Sequence, residues 1–359
     1  MQNTFSKSTR IAVLAAVAGT CGLAMVAGAF ARSRHVSTAS GGAASTKGGV
    51  SHGRVTTEPA LPATLAATGL YADFATRTIA TANRPFAPQY PLWTDGATKQ
   101  RWIYLPSAID GSNADAWQFP VGTKLWKQFS FAGKPAETRY IERTERGWRY
   151  ATYVWSDDGA DATVSLRATR VTAEVAPGVK HVAPGANDCR VCHHDGPLGF
   201  SALQLSPDRD PRAAHGEPSP AGALDLEVLL DGKLLRGYRG PTAPRIAASS
   251  ELERAALGYL HGNCGGCHNQ RTTLASLEME LASDLDLDAN RDAVRATTID
   301  RASRFAPARA RIAPGAPDRS VVVERMRARD AVTQMPPLGT QLVDREGVEL
   351  VSAWIAELK

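Results

Sequence analysis

The chain has 359 residues, 43% of them hydrophobic and 21% charged, with a formal net charge of +5. These proportions exclude a membrane bundle, a fibrous repeat and a disordered chain, and the length predicts two folded units behind whatever is removed at the front. The surplus of positive charge is small and contains no block of consecutive basic residues, which excludes nucleic acid as a partner.

Lys7 and Arg10 precede an apolar run from Ile11 to Ala31 that closes on the small-residue frame Ala29-Phe30-Ala31. This predicts a secretory signal over residues 1–31, cleaved after Ala31, and a periplasmic protein. The alternative is an uncleaved anchor, because the run is long enough to span a bilayer; after cleavage no stable membrane span is expected. Residues 32–59, rich in Ser, Gly, Ala and Thr, read as a flexible linker.

Residues 60–180 are expected to form a β-rich domain of sandwich or barrel type. The aromatic and β-branched runs Arg101 to Leu105, Lys124 to Phe131, Glu137 to Arg143 and Trp148 to Trp155 are separated by turn residues, among them Ala132-Gly133 and Arg146-Gly147. Six of the seven tryptophans fall between Trp93 and Trp155 and are expected to fill the core of this domain.

Residues 181–249 are dense in Pro and Gly, an irregular segment that carries Cys189-Arg190-Val191-Cys192-His193. A β-hairpin is expected from Asp225 to Gly237, where Leu226, Val228 and Leu230 alternate before Asp231-Gly232. In residues 250–359, Ser250 caps a helix whose Leu252, Ala255, Ala256, Tyr259 and Leu260 recur at helical spacing. That helix runs into Cys264-Gly265-Gly266-Cys267-His268. A second helix starts at Asp344, with Val348, Val351, Ile355 and Leu358 on one stripe, and the two helices are expected to pack together.

Of five cysteines, only Cys21 lies outside these two motifs, inside the expected signal. Two thiols three positions apart share one side of a helical turn, where each can bond a porphyrin vinyl, and the next residue then faces the iron. The spacing therefore predicts two covalently bound haem c groups, attached through Cys189, Cys192, Cys264 and Cys267. His193 and His268 become the proximal iron ligands. Three other uses of paired cysteines remain open: one zinc on four thiolates, two redox-active disulfides, or structural bridges. None of them calls for histidine in the next position, and an exported setting suits haem attachment. Met335, in the proline-stiffened Gln334-Met335-Pro336-Pro337, is expected to be the distal ligand of the second iron; the alternative is a plain core methionine.

Residues 250–359, with helix, Cys-x-x-Cys-His, Met-Pro loop and C-terminal helix in that order, resemble a class I cytochrome c domain. The resemblance implies an all-α domain with His268 and Met335 on opposite sides of its iron. More widely, Pro91-Leu-Trp-Thr-Asp-Gly, Phe119-Pro-Val-Gly-Thr, Leu198-Gly-Phe-Ser-Ala-Leu-Gln-Leu and Gln334-Met-Pro-Pro are similar to a family of exported dihaem c-type cytochromes to which no settled reaction attaches. The fold class expected is thus α+β and multidomain: a β-rich domain followed by an all-α class I cytochrome c domain.

Two haems on one chain imply electron transfer among the haems and redox partner proteins outside the inner membrane. The rival is a haem enzyme, a peroxidase or small-molecule oxidoreductase, with an open coordination site at the first haem, because no Met-Pro loop follows the first motif. Distal candidates for that iron are His215 and His261, ahead of His181, His194, Met279 and Met326. A redox sensor or docking subunit is a third class.

Overall fold

The computed structural model describes residues 59–194, 196–285 and 293–359. The expected signal and nearly all of the linker lie outside them. Twelve strands are present among the described residues. They are β1 (Tyr71–Asp73), β2 (Thr78–Ile79), β3 (Arg84–Pro85), β4 (Thr98–Tyr104), β5 (Ile109–Asp110), β6 (Lys124–Phe131), β7 (Lys134–Thr144), β8 (Gly147–Trp155), β9 (Ala162–Ser165), β10 (Thr169–Ala176), β11 (Val179–Ala183) and β12 (Leu235–Arg236). The helices are α1 (Ala186–Cys192), α2 (Leu226–Asp231), α3 (Glu251–Asn263), α4 (Ala293–Thr298), α5 (Val321–Arg327) and α6 (Arg345–Glu357).

One antiparallel sheet organises the chain, with strand order β3-β4-β6-β7-β8-β9. Its long hairpins form where the sequence supplies the turns: Ala132 and Gly133 take φ values of 46° and 77° between β6 and β7, and Gly147 takes 121° at the start of β8. Strand alternation then divides the side chains. Trp102, Trp126, Tyr140, Ala151, Tyr153 and Trp155 face a core closed by Leu65 and Leu70 from the segment before the sheet. Ile103, Leu125, Ile141 and Tyr150 share the other face, and Ile103 and Leu125 belong to a larger core that also holds Leu257, Leu260, Val351, Trp354 and Ile355.

That shared core corrects the expected fold class. The long strands form one open six-stranded sheet beside three two-stranded ones, and the region from 250 onward is no all-α cytochrome c domain: the described residues are mostly β, with six short α-helices among them. Only α3 and α6 exceed seven residues. Pro307, Pro314, Pro317, Pro336 and Pro337 interrupt the C-terminal stretch, and backbone carbonyls that a helix would pair internally are met by side chains instead. The Arg311 guanidinium donates to the carbonyls of Leu277, Glu278 and Thr297 at 2.6–2.7 Å.

The hairpin expected at Asp225 to Gly237 is also corrected. Asp225 accepts from the Val228 amide at 2.8 Å and caps α2, which buries Leu226 and Leu229 at helical spacing. Leu235–Arg236 pairs in parallel with β5.

Helix α3 starts at Ser250, whose hydroxyl accepts from the Glu253 amide, and α6 starts at Asp344, which accepts from the Gly347 amide. They cross closely. Tyr259 reaches Asp344 at 2.9 Å, Trp354 Nε1 donates to Glu253 at 3.2 Å, and a Cβ on Gly347 would stand 2.2 Å from the Tyr259 ring. On its other side α3 meets Tyr90, which leaves no room for a Cβ at Gly258 or Gly262. No described helix is long and apolar enough to cross a membrane.

Candidate cofactor site

The two cysteine motifs, 75 residues apart, come together. Cys192 Sγ lies 2.7 Å from Cys267 Sγ, closer than two sulfurs rest without interacting and longer than the 2.03–2.05 Å of a disulfide. None of the four cysteines is in a disulfide.

The first motif is carried on the sheet. Helix α1 begins as Asp188 accepts from the Gly185 amide at 2.8 Å. Two β8 side chains hold its ends: Thr152 donates to the Pro184 carbonyl at 2.8 Å, and Tyr150 donates to the His193 carbonyl at 2.6 Å. His193 Nδ1 lies 2.9 Å from the Gly196 carbonyl, so Nδ1 carries the proton and Nε2 keeps its lone pair. Gly196 can offer that carbonyl because it adopts φ of 124° with Trp148 against it, leaving 2.7 Å where a Cβ would go. Burial holds His193 neutral down to about 4.

The second motif leaves the C-terminal end of α3. Asn269 donates to the Gly265 carbonyl at 2.7 Å, Thr272 to the Cys267 carbonyl at 2.6 Å, and the Leu281 amide to the His268 carbonyl at 2.8 Å. His268 Nδ1 is buried and has no hydrogen-bond partner. Burial, then the charges of Arg325 and Arg311, lowers its proton affinity. Met335 is half-buried, and its amide donates at 2.9 Å to the carbonyl of that same Arg325.

Burial raises the Cys189 thiol to about 11 and the Cys264 thiol to about 12. The hydrogen bond between Cys192 and Cys267 raises the first and lowers the second. Burial thus favours the neutral thiol at Cys189 and Cys264. No group of three or more His, Cys, Asp or Glu side chains converges as a metal cage among the described residues.

A cavity of about 490 Å³ adjoins the first motif. Cys189, Cys192, His193 and His261 line it, with an aromatic wall in which Phe119 meets Trp148 and Phe200 edge-on at 5.6 and 6.0 Å. Arg101, Lys127 and Arg139, three adjacent partners in the sheet register, also line it. The sequence reading passed over these cations, although each stands in the phase of the inward residues Ile103, Leu125 and Ile141.

The two distal candidates separate. His261 lines this cavity, but its Nδ1 accepts from the Ser283 amide at 3.0 Å, so the neutral ring presents Nε2–H rather than a lone pair. His215 lies elsewhere, with Nε2 2.9 Å from Asp344 and Nδ1 3.3 Å from Glu346. His181 is wholly buried between Asp95 at 3.0 Å and Glu137 at 3.2 Å. Burial opposes its charge, and the two carboxylates outweigh burial and raise its pKa. Asp95 also accepts from the Gln341 and Leu342 amides at 2.7 and 2.9 Å, which ties the loop after Met335 to the sheet. His194 is exposed, and Met326 is a buried core residue.

Comparison with protein-family models, curated proteins and solved structures returned no match.

Proposed function

We propose that the protein is an exported dihaem c-type cytochrome that carries electrons. The observation that carries this reading is the meeting of two Cys-x-x-Cys-His motifs at a 2.7 Å sulfur contact: groups attached there stand side by side, as electron exchange between them requires. Cys189 and Cys192 hold one haem and Cys264 and Cys267 the other, with His193 and His268 on the irons.

The residues fit such a group. His193 has one nitrogen fixed by a carbonyl and the other available, the usual state of a metal-bound imidazole, and its neutrality suits ligation. His268 would use its Nε2 in the same way, although its buried Nδ1 lacks the carbonyl partner that His193 has. Met335, in its proline-stiffened loop and held through its amide to the Arg325 carbonyl, is the distal ligand that this reading assigns to the second iron. Bound haem supplies one-electron chemistry, and the protein sets potentials through ligands, burial and charge. Redox partner proteins in the periplasm complete the reading.

One observation favours a second reading, a haem enzyme with an open site at the first iron. His261 offers a proton into the cavity and His215 is engaged with two carboxylates, so neither is presented as a ligand.

The test is the mass of the exported chain made with a haem-attachment system. Two added haem masses and a matching pyridine haemochrome are expected; a chain without them, or one that retains zinc, overturns the reading. Two low-spin ferric haems indifferent to cyanide then favour the carrier, and a high-spin signal that shifts with cyanide favours the enzyme.

A further inference from the structure

Arg101, Lys127 and Arg139 stand directly opposite one another on β4, β6 and β7, so their side chains emerge from one face of the sheet. Like charges in this arrangement repel, and two of the three have local compensation. Arg101 pairs with Glu217, and Arg139 pairs with Glu137 at 2.6 Å. Burial alone would raise Glu137, but Arg139 and His181 bring it below its usual range, so that pair is charged. Lys127 makes no salt bridge among the described residues: Glu217, already paired with Arg101, reaches it only through its charge, and its Nζ stands 4.8 Å from the Phe129 ring. It lines the same cavity as His193. Burial first, then Arg101, Lys99 and Arg139, lower its pKa well below that of a free lysine.

A half-buried amine that makes no ion pair of its own, set between two arginines in a cavity beside a cofactor motif, describes half of an ion pair. We infer that Lys127, flanked by Arg101 and Arg139, is the seat of a carboxylate in the cavity beside His193. The carboxylate has two sources: a propionate of the first haem, which we favour because the cavity adjoins its attachment cysteines, or a small free carboxylate drawn to that site. The propionate source rests on the haem reading above.

The experiment uses the mature exported protein, with haem content established by mass. Lys127→Gln and Lys127→Arg are compared with the parent by spectroelectrochemistry and by formate titration followed in the Soret band. Loss of a cation near the iron stabilises the ferric state. At the parent midpoint the reduced-to-oxidised ratio of one haem is expected to fall about tenfold in Lys127→Gln, equivalent to about 59 mV for one electron. Lys127→Arg restores it, and formate leaves both spectra alone. A saturable formate response in the parent, lost in Lys127→Gln and kept in Lys127→Arg, supports the seat and assigns it to a free carboxylate. Unchanged potentials and no formate response in a two-haem protein overturn the seat; a chain lacking haem overturns the haem reading, and the propionate source with it.

Discussion

Cys189 to His193 rides on a seven-residue helix with no buried residue, whereas Cys264 to His268 leaves a thirteen-residue helix that buries eight. The first motif is secured by hydrogen bonds from the sheet, and its imidazole is oriented by one backbone carbonyl. The second is secured by packing of α3 against Tyr90 and α6, while its imidazole keeps an unsatisfied nitrogen. One sequence pattern is thus supported in two ways: a sheet fixes orientation and leaves a cavity, and a helix pair fixes position and leaves the ring without an orienting hydrogen bond. The difference predicts that the two sites fail independently.

The largest effect is expected at the second site. On the haem reading, Met335→Ala abolishes the near-infrared sulfur-to-iron band of the oxidised protein and lowers one potential by on the order of 0.1 V, within the about 0.8 V that axial ligands span. An unchanged band removes Met335 from the iron.

Next come two glycines, one for each support. Gly347→Ala drives a methyl into Tyr259 at the α3–α6 crossing and is expected to cost roughly 1–3 kcal/mol in urea unfolding and, on the haem reading, to perturb only the second haem's spectrum. Gly196→Ala meets Trp148 at a φ of 124°, with a similar cost of roughly 1–3 kcal/mol but a perturbation confined to the first haem. Should both variants disturb the same haem, the proposed independence is lost.

The last effect is a pH dependence, fully expressed only at acid pH. Burial lowers His261 to about 4, whereas in the unfolded chain histidine titrates near about 6.5. Between these values the unfolded state binds the extra proton, so stability falls as pH drops from about 6.5 to about 4, by up to ~3 kcal/mol. Thermal melts of His261→Gln across this window are expected to lack that part of the loss; a slope equal to the parent's removes His261 as its source.

Much of the sheet was legible because its signal is local. Alternation placed β4, β6, β7 and β8, and the caps Ser250 and Asp344 placed α3 and α6. The C-terminal region was misread because two helices in the right order were extended into a whole helical domain, while the prolines between them and the arginine-held carbonyls pointed to loop. At Asp225 the period-2 pattern lost to a capping side chain that is equally visible in the sequence. The cysteine pairs could be read by spacing. The cations beside them could not, because Arg101, Lys127 and Arg139 are 26 and 12 residues apart and meet only through strand register.

The touching sulfurs carry a consequence for the order of events in biogenesis. Two thioether sulfurs do not rest 2.7 Å apart, so on the haem reading the Cys192–Cys267 contact opens as porphyrins are joined to the chain. On that reading, attachment and the final packing of the unit from Pro59 to Lys359 are steps of one process.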